Sequence, residues 1–276
     1  MKRHLTLIAF IGLLAITGFG QGSYLQPPKP ILDVLNAPVI PITTVSPAGD
    51  RIALLDPERY PPIAELADPM LRLGGLRINP VTNAQHRQLY FTGIRFQPVE
   101  GGAAVAAQLP AGSKMVSPQW SPDGRHVAAG RLTDRGVELW IIETATGKAT
   151  RAGDVYVNTA FGGFGWEGND RISANLVPAG RGAAPQYRDI APQEPNIQET
   201  SGRSGAVATF QDLLKSPNDE RLFEYYTTSQ LAFISPDGRV TTIGEPAIYD
   251  TFSPSPDGRY IMVTRIKRPF SYLFPY

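Results

Sequence analysis

The chain has 276 residues, of which 42% are hydrophobic and 18% charged, with 27 glycines and 26 prolines. This composition provides enough apolar residues for a core and favours many short strands joined by tight turns over long helices. The absence of cysteine excludes disulfides, a thiol nucleophile and thiolate metal sites.

Residues 1–20 are predicted to form a signal peptide. Lys2 and Arg3 precede an apolar stretch at 5–19, and Gly18-Phe19-Gly20 has the small residues typical of a cleavage site. The apolar stretch is shorter than the roughly 20 residues that span a bilayer, which favours cleavage over an uncleaved membrane anchor. We therefore expect a secreted or periplasmic protein, with residues 21–44 as an N-terminal extension.

The charge balance bears on the class of partner. Removing Lys2 and Arg3 from the 26 basic residues leaves 24, against 25 acidic residues. This near-neutral balance argues against nucleic acid or an anionic membrane surface as a partner of the mature chain.

A short turn recurs along the chain, and an apolar, strand-like stretch follows each copy. Proline presets φ at its second position, aspartate bonds locally, and glycine accepts the left-handed conformation. Three copies with the same continuation indicate a repeated hairpin unit. They lie at 46–51 (Ser-Pro-Ala-Gly-Asp-Arg), 121–125 and 255–259 (both Ser-Pro-Asp-Gly-Arg).

The repeat predicts an all-β fold, a β-propeller of four-stranded antiparallel blades. Residues 45–276 would form a partial propeller of about 3.5 blades with short helical inserts. The second copy shows a complete unit, with strands at 119–120, 126–132, 137–142 and 149–151. A fourth Ser-Pro-Asp-Gly, at 235–238, joins two outer strands instead. The expected blades are 45–109, 114–153, 164–243 with an insert, and two strands after 249.

The inserts contain helical and irregular patterns. Short helices are predicted at 62–67, 211–215 and 219–226. Residues 178–205 are rich in glycine, proline, alanine and glutamine, so they bury too little apolar surface to order themselves, and we expect a mobile loop.

Segments within and beside these inserts resemble the glutamyl endopeptidases of the prolyl oligopeptidase family of serine peptidases. The resemblance extends over about residues 25–275. It rests on Pro-Pro-Ile-Ala-Glu-Leu-Ala at 61–67, Leu-Gly-Gly-Leu-Arg-Ile-Asn-Pro at 73–80, Phe-Thr-Gly-Ile at 91–94, Thr-Phe-Gln-Asp-Leu-Leu-Lys at 209–215, residues 222–231, and Arg-Pro-Phe-Ser-Tyr at 268–272.

This resemblance implies a two-domain peptidase in which an N-terminal propeller covers an α/β-hydrolase domain. That second domain carries a Ser-Asp-His triad and cleaves peptides after Glu. The hydrolase domain is expected to be absent from this chain, which would be the substrate-gating propeller portion of the enzyme. The peptide substrate and the hydrolase domain are then the implied partners.

The residues of this chain offer no complete catalytic constellation of their own. His4 lies in the leader, His86 has the surroundings of a loop residue, and His126 follows a turn at the start of a strand. The closest string to a nucleophile elbow, Gly-Arg-Ser-Gly at 202–205, has the wrong spacing and no preceding strand. We assign no catalytic, cofactor-binding or metal-binding residue and expect no cofactor.

Four other side chains admit two interpretations. Trp120, Trp140 and Trp166 could form a carbohydrate-stacking surface, but their equivalent strand positions favour core packing. Arg268 could face the cavity and pair with a glutamate carboxylate of the substrate. A structural pairing of Arg268 across blades is at least as compatible with the sequence.

Two other functions remain open. The chain could be a stand-alone propeller that binds a ligand, as in TolB-type periplasmic proteins, or a degenerate product without function. A dedicated binding propeller is expected to close its ring, because an open ring leaves unpaired strand edges.

The signal peptide generates the first prediction. N-terminal sequencing of exported protein should begin near Gln21, since signal peptidase cleaves after small residues. Material that starts at Met1 and is extracted only with detergent would favour the membrane anchor.

Overall fold

The computed structural model describes residues 25–186, 202, 209–255 and 259–276. The chain divides into two compact units, residues 1–39 and 40–276. In the described part of the first unit, helix α1 (Lys29–Leu35) has no buried residue. The predicted signal peptide lies outside the described residues. None of the helices in the described ranges has the length and apolar character needed to cross a membrane.

The described strands of the second unit form three antiparallel groups of four, a final pair and a small separate sheet. The first group is β1 (Ile42–Val45), β2 (Arg51–Pro57), β6 (Phe91–Pro98) and β7 (Val105–Ala106). The second group is β8 (Lys114–Trp120), β9 (His126–Leu132), β10 (Val137–Glu143) and β11 (Ala149–Val157). The third group is β12 (Phe164–Glu167), β13 (Arg171–Leu176), β14 (Ser229–Ile234) and the first part of β15 (Val240–Pro254). The end of β15 pairs with β16 (Ile261–Ile266).

Neighbouring groups share very few strand pairs, so each group forms a separate blade. A single residue pair, Phe91 with Met115, joins the first group to the second, and Val157 with Leu176 joins the second to the third. Strand β15 belongs to two groups, because Ala247 pairs with Ser229 while the next residue pairs with β16. The predicted all-β propeller class is confirmed. The number of blades in the whole protein stays a prediction.

The recurring turns have the predicted chemistry. Within each described copy, the glycine N–H donates to the serine carbonyl, at 2.9 Å from Gly49 to Ser46 and from Gly124 to Ser121. These glycines have φ of +73° and +70°, in the left-handed region. The serine hydroxyl bonds an aspartate of the same turn, which lowers the pKa of Asp123. The serine therefore closes the hairpin.

The core lies between neighbouring blades. One cluster of buried side chains joins the first two blades and includes Phe96, Ile94, Met115 and Ile142. A larger cluster joins the second blade to the third. Blade packing thus buries both faces of the central sheets, which agrees with the nearly continuous apolar run of β10.

The inserts agree with the sequence only in part. The helix expected at 62–67 is α2 (Ile63–Leu66), and the one expected at 219–226 is α3 (Pro217–Thr227). The helix expected at 211–215 is wrong, because Asp212 has φ of +60° and its carbonyl accepts a hydrogen bond from Gly75, which leaves this segment irregular. Most of the loop expected to be mobile at 178–205 lies outside the described residues.

A small second sheet was not anticipated. Strands β3 (Leu71–Leu73), β4 (Leu76–Asn79) and β5 (Ala84–Gln85) pair in order within the first insert. Gly74 and Gly75 form the connecting turn with φ of +62° and +88°. A Gly-Gly pair between two short apolar stretches is a recognised hairpin signal, so the sequence contained this information.

The approach of two blades at Gly147 generates the second prediction. A Cβ at Gly147 would lie 2.1 Å from the Ala106 carbonyl oxygen, whereas one at Gly49 would meet no atom within 4 Å. Both glycines have nearly equal φ, +72° and +73°, so Gly147→Ala and Gly49→Ala share the backbone strain of about 1–2 kcal/mol. Gly147→Ala should cost a further ~1–3 kcal/mol because of the clash. Urea unfolding measures both, and equal losses would contradict the close approach.

Candidate functional site

The two inserts and the last residues of the chain pack into a single layer. Both inserts connect the second and third strands of their blades, so they emerge at the same edge of the propeller. We define the insert layer as residues 58–90, the described parts of 177–228, and 267–276. Its apolar centre is a third cluster of buried side chains: Leu73, Ile78, Ala160, Leu214, Leu222, Phe223, Tyr226, Ile248 and Phe270.

Helix α3 organises this layer, and its sequence explains why it forms. Ser216 caps the helix by accepting a hydrogen bond from the Asp219 N–H at 3.2 Å, and Pro217 occupies the first turn. Leu222, Phe223 and Tyr226 are on its buried face. Phe223 is fully buried against the Phe270 and Tyr276 rings, with centroids 5.2 and 4.8 Å away. Removing that ring should cost about 3–5 kcal/mol.

Ion pairs also join the two inserts of the layer. The Asp212 carboxylate is 2.8 Å from Nε of Arg77 and 3.7 Å from Nε of Arg72. Its backbone carbonyl also accepts the hydrogen bond from Gly75 described above. Both arginines project from the β3–β4 hairpin, so this one aspartate ties the blade-three insert to the blade-one insert.

A cleft of about 840 Å³ opens between the first insert and the second blade. Glu65 from α2 lies at its edge, where the Lys114 ammonium pairs with its carboxylate and the Tyr90 hydroxyl donates to it at 3.3 Å. The Lys114 ammonium also lies 5.2 Å from the centre of the Tyr90 ring. The walls carry both charged and apolar groups. The lining includes Glu58, Arg59, Leu66, Asp68, His86, Arg87 and Leu89.

A buried polar network joins both inserts of the layer to Asn158, which follows β11. Asn83 donates to Asn158 Oδ1 at 2.7 Å, and Asn158 donates to the carbonyl of Tyr226 at 2.8 Å. Arg181 donates to Asn83 Oδ1 at 2.7 Å. Asn83 adopts φ of +54°, which asparagine tolerates better than most residues. The network satisfies the carbonyls at the end of α3, and sequence reasoning gave no signal for it.

The histidines do not form a catalytic pair in the part of the chain that the structure describes. His86 Nε2 lies 3.2 Å from the Asp68 carbonyl, and the His126 ring packs 6.2 Å from the Trp166 ring. Ser121 is fully buried, and it contacts His126 through that residue's backbone rather than its imidazole. Ser121, Asp123 and the backbone of His126 therefore stabilise the turn and do not form a catalytic site. Of the Gly-Arg-Ser-Gly string, residues 203–205 lie outside the described residues.

The other side chains considered have structural partners. Trp120 and Trp140 pack against the cluster between the first two blades, and Trp166 against the larger cluster. Arg268 pairs with Glu220 and Glu224 of α3 and lies 4.8 Å from the centre of the Phe270 ring. The structure thus favours the structural role of Arg268. Among the described residues, no group of three His, Asp or Glu side chains is arranged to hold a metal ion.

Comparison with known proteins identifies the relationship. The chain is 37% identical over 267 residues to the "Probable glutamyl endopeptidase, chloroplastic" of Oryza sativa subsp. japonica, which is 91% of this chain. It is 33% identical over 270 residues, 93% of this chain, to the protein of the same name in Arabidopsis thaliana. The chain is a relative of the glutamyl endopeptidases. It spans 28% of the length of each of these curated relatives. No family model matches it.

Solved structures overlap with this glutamyl endopeptidase relative only loosely. The β-propeller domain of the trilobed protease from Pyrococcus furiosus is 11% identical, with a TM-score of 0.36, over 83% of this chain and 56% of that one. A protein described as TolB from Agrobacterium tumefaciens is 12% identical, with a TM-score of 0.33, over 84% and 72%. The propeller fold of this chain therefore rests on its own strand pairing, and its similarity to the glutamyl endopeptidases rests on sequence.

The Tyr90 hydroxyl generates the third prediction. Burial, together with the Glu65 carboxylate, raises the pKa of Tyr90 to about 12, and Glu58 contributes least. Glu65→Gln should lower that pKa more than Glu58→Gln, because it removes the stronger charge and leaves a weaker, neutral acceptor for the Tyr90 hydroxyl. Tyrosinate absorbance, compared with Tyr90→Phe to isolate the signal, measures the shift.

The same shift fixes the sign of a stability effect. The folded chain holds the Tyr90 proton more tightly than the unfolded chain, in which tyrosine titrates near pH 10. The resulting stabilisation is present below about pH 10 and is lost as the pH rises towards about 12. An equal pKa of Tyr90 in the two glutamine variants would contradict the Glu65 contact.

Proposed function

We propose that this chain is the substrate-gating propeller of an exported serine peptidase that cleaves peptides after Glu. The observation that carries the proposal is the 37% identity to a protein named glutamyl endopeptidase over 91% of the chain. Cleavage after Glu is taken from the name of the relatives, and the gating role from the family resemblance.

The insert layer supports a gating role. Most of the segments that resemble the glutamyl endopeptidases converge in its apolar centre and its ion pairs: the β3–β4 hairpin, residues 209–215, helix α3 and Arg268–Phe270. These segments are far apart in sequence, and their shared location supports the proposal of a common functional surface. A propeller that covers a catalytic site would present such a surface to substrate or to the catalytic part.

The reacting groups of this peptidase are proposed to lie outside the chain. Serine acyl transfer requires an activated hydroxyl, a base within hydrogen-bond reach and an oxyanion hole. In the described residues, Ser121 is buried in a structural turn and neither imidazole faces a serine hydroxyl. The chain would then contribute binding and access, and the catalytic part would contribute the chemistry.

Export is proposed from the leader at residues 1–20. The relatives are named chloroplastic, so they too are associated with a compartment outside the cytosol. The N-terminal sequencing described above tests this part independently of peptidase activity.

The fourth prediction compares the 276-residue chain with the protein from its complete open reading frame. The chain alone should neither hydrolyse a fluorogenic peptide with Glu before the scissile bond nor react with a fluorophosphonate probe. The complete protein should do both, and it should prefer Glu over the isosteric Gln at that position.

Two results would contradict the proposal. Labelling of the 276-residue chain that is abolished by one Ser→Ala change would place the active site within it. A complete protein that reacts with the probe but cleaves Gln and Glu peptides equally would remove the Glu specificity while leaving the peptidase assignment intact.

A further inference from the structure

Arg181 stands at the start of the second insert in an unusual environment. Its side chain is half-buried, and Nη1 donates to Asn83 Oδ1 at 2.7 Å and to the Tyr225 carbonyl at 3.2 Å. The guanidinium carbon lies 4.2 Å from the centre of the Tyr225 ring and 5.9 Å from that of Tyr226. This stacking fixes the plane of the guanidinium group.

This arginine has no carboxylate partner in the described part of the chain. The other strongly held arginines of the layer do have one: Arg77 pairs with Asp212, and Arg268 with Glu220 and Glu224. Burial lowers the pKa of Arg181, and the side chains that oppose this are Tyr225 and Tyr226, not an acid. Partial burial of a cation without an anion is unfavourable, so the site is electrostatically incomplete.

The remaining donors of Arg181 are positioned for a ligand. Nη1 is occupied, whereas Nε and Nη2 have no hydrogen-bond partner among the described residues and are not fully enclosed. These two donors form one edge of the guanidinium fork, which matches the two oxygens of a carboxylate. Asn83, which is itself buried and bonded to Asn158, holds the opposite edge.

We propose that Arg181 binds a carboxylate of a peptide ligand through Nε and Nη2. The choice of a peptide as the source of the carboxylate rests on the proposed function. The carboxylate is either an acidic side chain or a peptide C-terminus, and both present the same two oxygens. Binding would complete the charge pair while Tyr225 and Asn83 keep the guanidinium in place.

The fifth prediction concerns three short peptides titrated into the 276-residue chain by calorimetry. Ac-Ala-Glu-Ala-NH2 carries the side-chain carboxylate, Ac-Ala-Gln-Ala-OH the C-terminal one, and Ac-Ala-Gln-Ala-NH2 neither. At least one of the charged peptides should bind about tenfold or more tightly than the neutral one. The stronger of the two identifies the source of the carboxylate.

Substitutions then locate the site. Arg181→Gln should abolish the preference for the charged peptide, and Arg181→Lys should weaken it, because lysine lacks the planar fork. Arg171→Gln is the matched control, since Arg171 also stacks on an aromatic ring, 4.4 Å from the centre of Phe233, and should bind as the parent chain does. Circular dichroism checks that each variant folds. If Arg181→Gln does not fold, the peptide preference of Arg181→Lys tests the proposal instead.

Three outcomes of the titrations with the chain and its Arg181 variants would overturn the inference. These are equal binding of the neutral and charged peptides, an unchanged preference in the folded Arg181 variant, and inorganic phosphate displacing the peptide at a lower concentration than free acetate does. Asp189, Glu194 and Glu199 lie outside the described residues. If none of them is the counterion of Arg181, the triple variant Asp189→Asn, Glu194→Gln and Glu199→Gln should keep the preference for the charged peptide. If the charged peptide bound more tightly only in that triple variant, one of these three acids would be the partner of Arg181 in the parent chain, which would contradict the proposal.

The inference and the proposed function fail separately. A preference that depends on Arg181, together with a complete protein that cleaves no peptide after Glu, leaves the carboxylate site and rejects the peptidase. Cleavage after Glu that is unaffected by Arg181→Gln, together with equal binding of the charged and neutral peptides, rejects the carboxylate site and leaves the peptidase.

Discussion

The packing of helix α3 against the β3–β4 hairpin is the contact on which the insert layer depends. Asp212, which precedes α3, supports it by pairing with Arg77 of the hairpin, 135 positions away in the chain. Phe223 lies at its centre, and a Cβ at Gly74 would already be 3.0 Å from the Phe223 ring. The hairpin therefore needs glycine there both for its positive φ and for the space. Without this contact, each insert would have an exposed apolar face and no partner.

The same contact creates a polar requirement that the asparagines meet. Where α3 ends, its last carbonyls have no partner within the helix. Asn83 and Asn158 donate to the carbonyl of Tyr226, and Asn158 also donates to that of Thr228 at 3.2 Å. Buried amides in such positions fix one arrangement, because any shift would leave a desolvated polar group unpaired. Arg181 is attached to this rigid frame, so its orientation is set before any ligand arrives.

The Ser-Pro turns show how the same residue types have different meanings at different places. In a sequence, Ser121, Asp123 and His126 lie within six residues and include every side-chain type of a serine peptidase triad. In the structure, Ser121 donates to Asp123 at 2.6 Å and its oxygen accepts from the His126 backbone at 3.0 Å, which closes a hairpin. The equivalent bond from Ser46 to Asp50, at 2.7 Å in a turn without histidine, confirms that the motif is structural.

By itself, the sequence determined the all-β class, most strands of the second blade, most of helix α3, and the relationship to glutamyl endopeptidases. These features depend on local backbone preferences, such as a proline that fixes φ or a glycine that accepts a positive φ, and on long matching segments. The helix expected at 211–215 failed because a local preference gave way to a distant partner, the hairpin at Gly75. Only the tertiary structure decided that the two inserts share one layer, that Arg268 has acidic partners and that Arg181 has none among the described residues. Those outcomes depend on which side chains meet across more than 40 positions of sequence, as in the contact of Arg268 with Glu224 at a separation of 44. Local pattern holds no information about such meetings, because the energy that selects them is that of burial and charge pairing in the folded state.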